Sequence, residues 1–168
     1  MKLLRSGLAA ALLCSATLAQ AATVSLPALN VDTTNITVSG LSSGAVIAIN
    51  LGYAYSATFR GVGIFAGTPY PCQYDTAFAN CQNNNTITPA MLATMQSRID
   101  AWSGSAIDDK ANVATQKVFL FVGTKDSTVG PKPMQAVQTQ YLDNGVGQVP
   151  LVQASDAAHV FPTDFTVF

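Results

Sequence analysis

Ile36-Thr37-Val38-Ser39-Gly40-Leu41-Ser42-Ser43-Gly44, followed by the apolar residues of 45 to 55, is the stretch that decides how this 168-residue sequence folds. Its β-branched start predicts a strand ending at Gly40, and the residues after Gly44 are compatible with a buried helix. A serine between such a strand and helix fits the G-x-S-x-G elbow, in which the serine is held on a strained turn. Side chains at the flanking glycines are expected to collide with the neighbouring strand or helix. The five-residue pattern alone arises by chance in roughly one chain in fifteen of this length, taking Gly near 7%. Its weight comes from the strand before it and the helix after it.

The rest of the chain repeats that alternation. Residues 61 to 66 are a continuous apolar run, as expected of a strand covered on both faces, and they stop at Gly67-Thr68-Pro69. The segment from 69 to 86 holds two cysteines and the patch Asn83 to Asn85, and reads as a stapled surface excursion too polar for the core. Thr88-Pro89 supplies an N-cap and a first-turn proline for a helix on which Met91, Leu92, Met95, Ile99 and Trp102 recur at helical spacing. These apolar residues are read as packing, not as a cofactor box. Residues 117 to 122 form the clearest strand, 131 to 142 a helix and 149 to 152 a fourth strand, after which a polar stretch leads to His159. Strands alternating with helices predict an α/β fold, a parallel sheet of about four strands flanked by helices. Chemistry in such sheets sits beyond the carboxyl ends of the strands.

A serine hydroxyl attacks poorly until a base takes its proton, so the elbow calls for a histidine. His159 is the one histidine in the sequence. A lone histidine is more often structural than catalytic, but the order serine, acid, histidine is the one this elbow uses. Asp126 is the expected acid, because Gly123-Thr124-Lys125 ends the strongest strand just before it. Its bland reading is a turn former. Asp100, Asp108 and Asp109 lie in helical or polar stretches, Asp143 adjoins the turn-like Asn144-Gly145, and Asp156 stands too near His159 in sequence to orient it from behind. Asp164 remains a further alternative. The carboxylate would accept the imidazole Nδ1 proton, leaving Nε2 to activate Ser42.

Met1, Lys2 and Arg5, the apolar run from 7 to 18 and Ala19-Gln20-Ala21 read as a signal peptide over residues 1 to 21, with a domain over 22 to 168. The apolar run is shorter than the roughly 20 residues of a spanning helix, so no stable membrane anchor is expected after cleavage, and the mature protein is expected to be secreted. Charged residues are 10% of the chain and the net charge is −1, which excludes an electrostatic grip on a nucleic acid. Cys14 would leave with the leader. Cys72 and Cys81 remain, and an oxidising compartment favours a local disulfide over a zinc pair, for which ligands are too few.

Several blocks in order carry a resemblance. Val38 to Gly44, Phe65-Ala66-Gly67 with Pro69-Tyr70 and Cys72, Trp102-Ser103-Gly104, Gly123 with Asp126 to Pro131, and His159 with Phe161 to Phe165 look like the catalytic domain of extracellular polyhydroxybutyrate depolymerases. The kind in question is the circularly permuted α/β-hydrolase whose serine lies near the mature N-terminus. The resemblance implies a serine carboxylic-ester hydrolase acting on polyhydroxybutyrate, a similar polyester or a small ester through an acyl-enzyme, with no metal or organic cofactor. It assigns Ser42, Asp126 and His159 as nucleophile, acid and base, the Ser43 N–H as one oxyanion donor, and Cys72 with Cys81 as a disulfide. Relatives commonly follow the elbow with glycine and an aromatic residue where this chain has Ala45-Val46, which is expected to alter the pocket floor. They also run on about as long again past Phe165, supplying the rest of the sheet and a second oxyanion donor. The expectation is therefore of a truncated chain, inactive or short of about 3 kcal/mol of transition-state stabilisation.

Overall fold

Four strands form one parallel sheet in chain order: β1 (Ile36–Leu41), β2 (Phe59–Phe65), β3 (Lys117–Gly123) and β4 (Leu151–Ala154). The three long connections carry α1 (Ser43–Ala54), α2 (Pro89–Trp102) and α3 (Pro131–Asp143). The computed structural model describes residue 25 and residues 27–74 and 78–163, so the expected signal peptide, Cys14 and Asp164 lie outside the described residues. The chain divides into Met1–Val31 and Asp32–Phe168, and every element named here belongs to the second unit.

The register sorts the strands into two faces, because side chains paired across parallel strands point the same way. Val38, Val62 and Val118 are aligned, as are Gly40, Ile64, Leu120 and Leu151. This face meets Ala45, Ala48, Ile49 and Tyr53 of α1 and Met134, Val137 and Tyr141 of α3 in the main core. Fully burying each large side chain there contributes about 1.5–3 kcal/mol. The other face carries Ser39, Gly63 and Phe119 in one row and Leu41, Phe65, Phe121 and Val152 in the next. Phe119 is 40% exposed and Val152 42%. The expectation that β2 is covered on both faces therefore fails among the described residues: one face is packed, and on the other Gly63 and Phe65 stay partly exposed.

α2 begins as its sequence dictates, the Thr88 hydroxyl accepting from the Met91 N–H at 3.3 Å with proline in the first turn. Its Met95 and Ile99 are buried, as packing residues should be. β4 starts two residues later than expected. Val149 is buried as a plug, its carbonyl held by Gln138, while the Pro150 carbonyl accepts from the Leu120 N–H before the paired strand begins.

The cysteine segment corrects another expectation. Its start and its second cysteine are not surface, since Tyr70, Cys72 and Cys81 are buried and Pro69 and Pro71 are among the most enclosed residues, whereas Tyr74, Ala79, Asn80, Asn83, Asn85 and Thr86 are exposed as expected. Burial is possible because its backbone finds partners. The side-chain amide of Gln140 on α3 accepts from the Tyr70 N–H at 2.9 Å and donates to the Tyr70 carbonyl at 2.5 Å. Cys72 and Cys81 are joined by the expected disulfide, their Cα atoms 6.5 Å apart. They pack with Ile87, Met95 and Ala136 in a second, smaller cluster.

Candidate active site

Ser42 sits on the elbow, one residue past β1 and one before α1. Its φ of 58° and ψ of −121° lie where a side chain is strained, a cost of about 1–3 kcal/mol that the surroundings must hold in place. They do so through the Ser42 N–H, which donates to the Phe65 carbonyl at 2.9 Å, and the Ser42 carbonyl, which accepts from Val46 at 3.0 Å. A Cβ at Gly40 would lie 2.2 Å from the Gly44 carbonyl oxygen, so the strand can approach the helix only without a side chain there. Gly44 differs from expectation, because a Cβ built on it meets nothing within 4 Å. Among the described residues no side chain caps α1, so the N–H groups of its first turn, Ser43 among them, lie at the positive end of the helix without a capping side chain.

Asp126 follows β3 on a loop whose geometry it makes for itself. Its Oδ1 accepts from the N–H of Thr128 at 2.8 Å and of Val129 at 2.9 Å. Its Oδ2 lies 2.8 Å from His159 Nδ1, and since the side chain of Asp126 is fully buried and ionised it can only accept, which puts the proton on Nδ1 and leaves Nε2 free. Burial pushes the Asp126 carboxyl up, but the Val129 amide, the His159 ring and the Thr128 amide together outweigh it and hold the group below the usual carboxylate range. The other candidate acids have different partners. Asp100 pairs with Lys110 and Asp156 with Lys125, Asp108 accepts from the Ala57 N–H, and Asp109 caps the short 3-10 helix Lys110–Thr115.

His159 is carried by the loop after β4, and that loop lies directly on the end of β3. A Cβ at Gly123 would come within 2.2 Å of the Ala157 oxygen and 2.4 Å of the Ala158 oxygen. The Lys125 N–H donates to the Ala157 carbonyl at 2.9 Å. Two residues past the histidine, Phe161 packs on Phe65 with ring centroids 4.3 Å apart. Phe65 thus holds the serine through its carbonyl and the histidine loop through its ring. Asp126 and His159 are in contact; among the described residues no hydrogen bond joins His159 to Ser42.

A cavity of about 150 Å³ opens beside the elbow, lined by Ser42, Ser43, Val46, Thr68, Thr128 and Val129 among others. A wider groove of about 620 Å³ runs between α2 and α3, but Ser42, Asp126 and His159 all lie outside its lining. Sequence reasoning missed the brace on the acid loop. Asn83 and Asn84 take positive φ, donate through their N–H groups to the Thr128 and Val129 carbonyls at 2.8 Å, and the Asn84 side chain accepts from the Lys132 N–H. The signal was present in the asparagine patch, since asparagine tolerates the left-handed region better than other side chains.

No protein-family model matches the chain. It is 39% identical to the polyhydroxybutyrate depolymerase of Talaromyces funiculosus over 150 residues, covering 88% of this chain and 43% of that one. It is 41% identical to the poly(3-hydroxybutyrate) depolymerase of Delftia acidovorans over 149 residues, covering 85% of this chain and 30% of that one. A solved polyhydroxybutyrate depolymerase complexed with an R3HB trimer superposes with a TM-score of 0.78 at 36% identity, covering 85% of this chain and 45% of that chain. The resemblance carried by the motif blocks is thus a similarity over most of this chain, which spans less than half the length of the curated relatives it matches.

Proposed function

We propose that this chain carries the nucleophile, base and acid of a secreted serine esterase that cleaves polyhydroxybutyrate, or a similar short-side-chain polyester, through an acyl-enzyme. The observation that carries the reading is the hydrogen bond from His159 to the buried Asp126 carboxylate, set on the same sheet edge as a serine held in a strained elbow. Ser42 Oγ attacks the ester carbonyl carbon as His159 Nε2 takes its proton, and the N–H of Ser43 faces the oxygen that becomes negative. The carbonyl re-forms as the ester C–O bond breaks, and the alcohol leaves with the proton held by His159. Water, deprotonated by the same ring, then splits the acyl-serine to a carboxylic acid and free Ser42. Asp126 stays ionised throughout, orients the ring and stabilises its charged form. The similarity to polyhydroxybutyrate depolymerases, one of them complexed with an R3HB trimer, supports the polyester as substrate.

Export follows from the leader pattern of residues 1–21. A second reading, that these 168 residues do not turn over polymer by themselves, is favoured by the sheet face bearing Phe119 and Val152, because parallel sheets need cover on both sides. Release of soluble hydroxyacid from a polymer film, measured beside Ser42→Ala, tests both. Release that depends on Ser42 supports the first reading and excludes the second, and soluble-ester turnover without film hydrolysis selects the second.

A further inference from the structure

We propose that Asn84 is a positioning residue for the esterase chemistry: its side chain ties the Asp126 loop to the disulfide-anchored segment, and so fixes which nitrogen of His159 carries the proton. The inference rests on Asp126 and His159 being the acid and base proposed above. Asn84 has no hydrogen bond to either residue among the described residues, so it acts through the loop between Asp126 and α3.

The path runs through one peptide plane. The unit joining Thr128 to Val129 is flat and rigid, its N–H donating to Asp126 Oδ1 at 2.9 Å and its carbonyl accepting from the Asn83 N–H at 2.8 Å. Any shift of Asn83 is therefore passed to the carboxylate. The next carbonyl, that of Val129, accepts from the Asn84 N–H at 2.8 Å. Gly130 follows as the N-cap of α3 and has no side chain to cap it. Asn84 supplies the missing acceptor from outside the helix, its Oδ1 taking the Lys132 N–H at 3.0 Å. A Cβ on Gly130 would lie 2.5 Å from Asn84 Cβ, so the two segments are in close contact there. The asparagines have a firm base, because Cys81, two residues before Asn83, is fully buried and bonded to Cys72. Asp126 Oδ2 in turn meets His159 Nδ1 at 2.8 Å, and the tautomer of a neutral ring is set by the hydrogen bond it makes. Asn83 has the same left-handed backbone as Asn84, but its side chain makes no hydrogen bond among the described residues. The two neighbours thus separate the role of the side chain from that of the backbone.

The test reads His159 directly, since it is the one histidine in the sequence and gives an unambiguous ring signal. Nitrogen NMR of the 168-residue chain, isotope-labelled at histidine and held in mildly alkaline buffer so that the ring is neutral, should show Nδ1 protonated and Nε2 bare in the parent. Asn84→Gly accepts the positive φ and removes only the side chain. It should mix in the Nε2–H form, drawing the two nitrogen shifts together. It should also slow labelling of Ser42 by a p-nitrophenyl alkylphosphonate by roughly 10-fold to 100-fold, the effect of up to about 1 Å of misplacement. Asn84→Asp, which keeps the acceptor and tolerates the same backbone, should restore both readings, and Asn83→Gly should leave both at the parental values. Should Asn84→Gly lose its cooperative melt, Lys132→Pro decides in its stead, deleting the donor from the first turn of α3 and leaving Asn84 in place. A folded Asn84→Gly protein with the parental tautomer overturns the positioning role alone. If the parent holds the Nδ1 proton but Ser42 takes no label, the nucleophile reading falls and the tautomer decides this inference. A parent whose Nδ1 carries no proton refutes the pairing of Asp126 with His159, and the proposed chemistry and this inference fall together.

Discussion

Replacing Gly123 with alanine puts a methyl group into the loop that carries His159 without altering Ser42, Asp126 or His159 themselves. The added carbon would sit 2.2 Å from the Ala157 oxygen and 2.4 Å from the Ala158 oxygen, where ordinary contact begins at 3.4 Å, so the loop must retreat by about 3.4 − 2.2 = 1.2 Å. Both obstacles are backbone atoms and cannot rotate aside. The retreat strains or breaks the 2.9 Å bond from the Lys125 N–H to the Ala157 carbonyl. Passed on to His159, it stretches the 2.8 Å contact with Asp126 beyond hydrogen-bond reach. A misplacement of about 1 Å costs on the order of 10²-fold in rate, and overpacking of this kind costs about 1–3 kcal/mol of stability. Hydrolysis of p-nitrophenyl butyrate and a thermal melt measure the two effects. The melting temperature should fall by a few degrees, at about 2–4 °C per kcal/mol for a chain of this size. A Gly123→Ala protein with parental rate and melting temperature would refute the placement of the histidine loop on the end of β3.

Other outcomes follow from the same geometry. Asp126→Asn keeps an oxygen for the Thr128 and Val129 amides but offers His159 Nδ1 a donor, so ester hydrolysis should fall by about 10⁴-fold with the fold retained; circular dichroism beside the rate separates this from unfolding. Because the Asp126 carboxyl is held below its ordinary range in the folded chain, its ionised form contributes stability that is fully present above that range and is lost as pH falls through the folded value. The stability advantage of the parent over Asp126→Asn, followed by urea titration, should therefore shrink in acid and stay level near neutrality. Replacing both Cys72 and Cys81 with serine should cost about 2–3 kcal/mol, the loop-closure value for so short a loop, and urea unfolding would show it. Ser42→Gly relieves the positive φ at the elbow and should raise stability by about 1 kcal/mol while abolishing hydrolysis; a lower melting temperature would contradict the strain.

Periodicity and end signals made much of this fold legible. The β-branched Ile36 to Val38, the Thr88-Pro89 cap and the apolar 117 to 122 each declare an element through local physics, and the structure has strands or a helix at all three. The pairing of Asp126 with His159 was legible from their order after successive strands, because a parallel sheet delivers the ends of its strands to one edge. What local physics could not supply was tertiary. The buried course of residues 69–72 depends on Gln140, about seventy residues away, satisfying the Tyr70 backbone. The asparagine patch signals residues that accept a positive φ, but not that the Asn83 and Asn84 N–H groups bond to the Thr128 and Val129 carbonyls, a long-range pairing. The role of Gly123 appears only once a loop from 34 residues later lies on it. The open space at Gly44 likewise shows that a motif glycine need not be sterically required in every chain that has it.

The most direct test of the central claim is covalent. A p-nitrophenyl alkylphosphonate reacts with a serine only when that serine is activated and its oxyanion is met by donors, so the intact chain incubated with the reagent and digested for mass spectrometry should carry one adduct, on the peptide containing Ser42. His159→Ala should slow that labelling by at least 10³-fold, and Ser42→Ala should remove it. An unlabelled Ser42 in folded protein, or labelling that is indifferent to His159, would contradict the account.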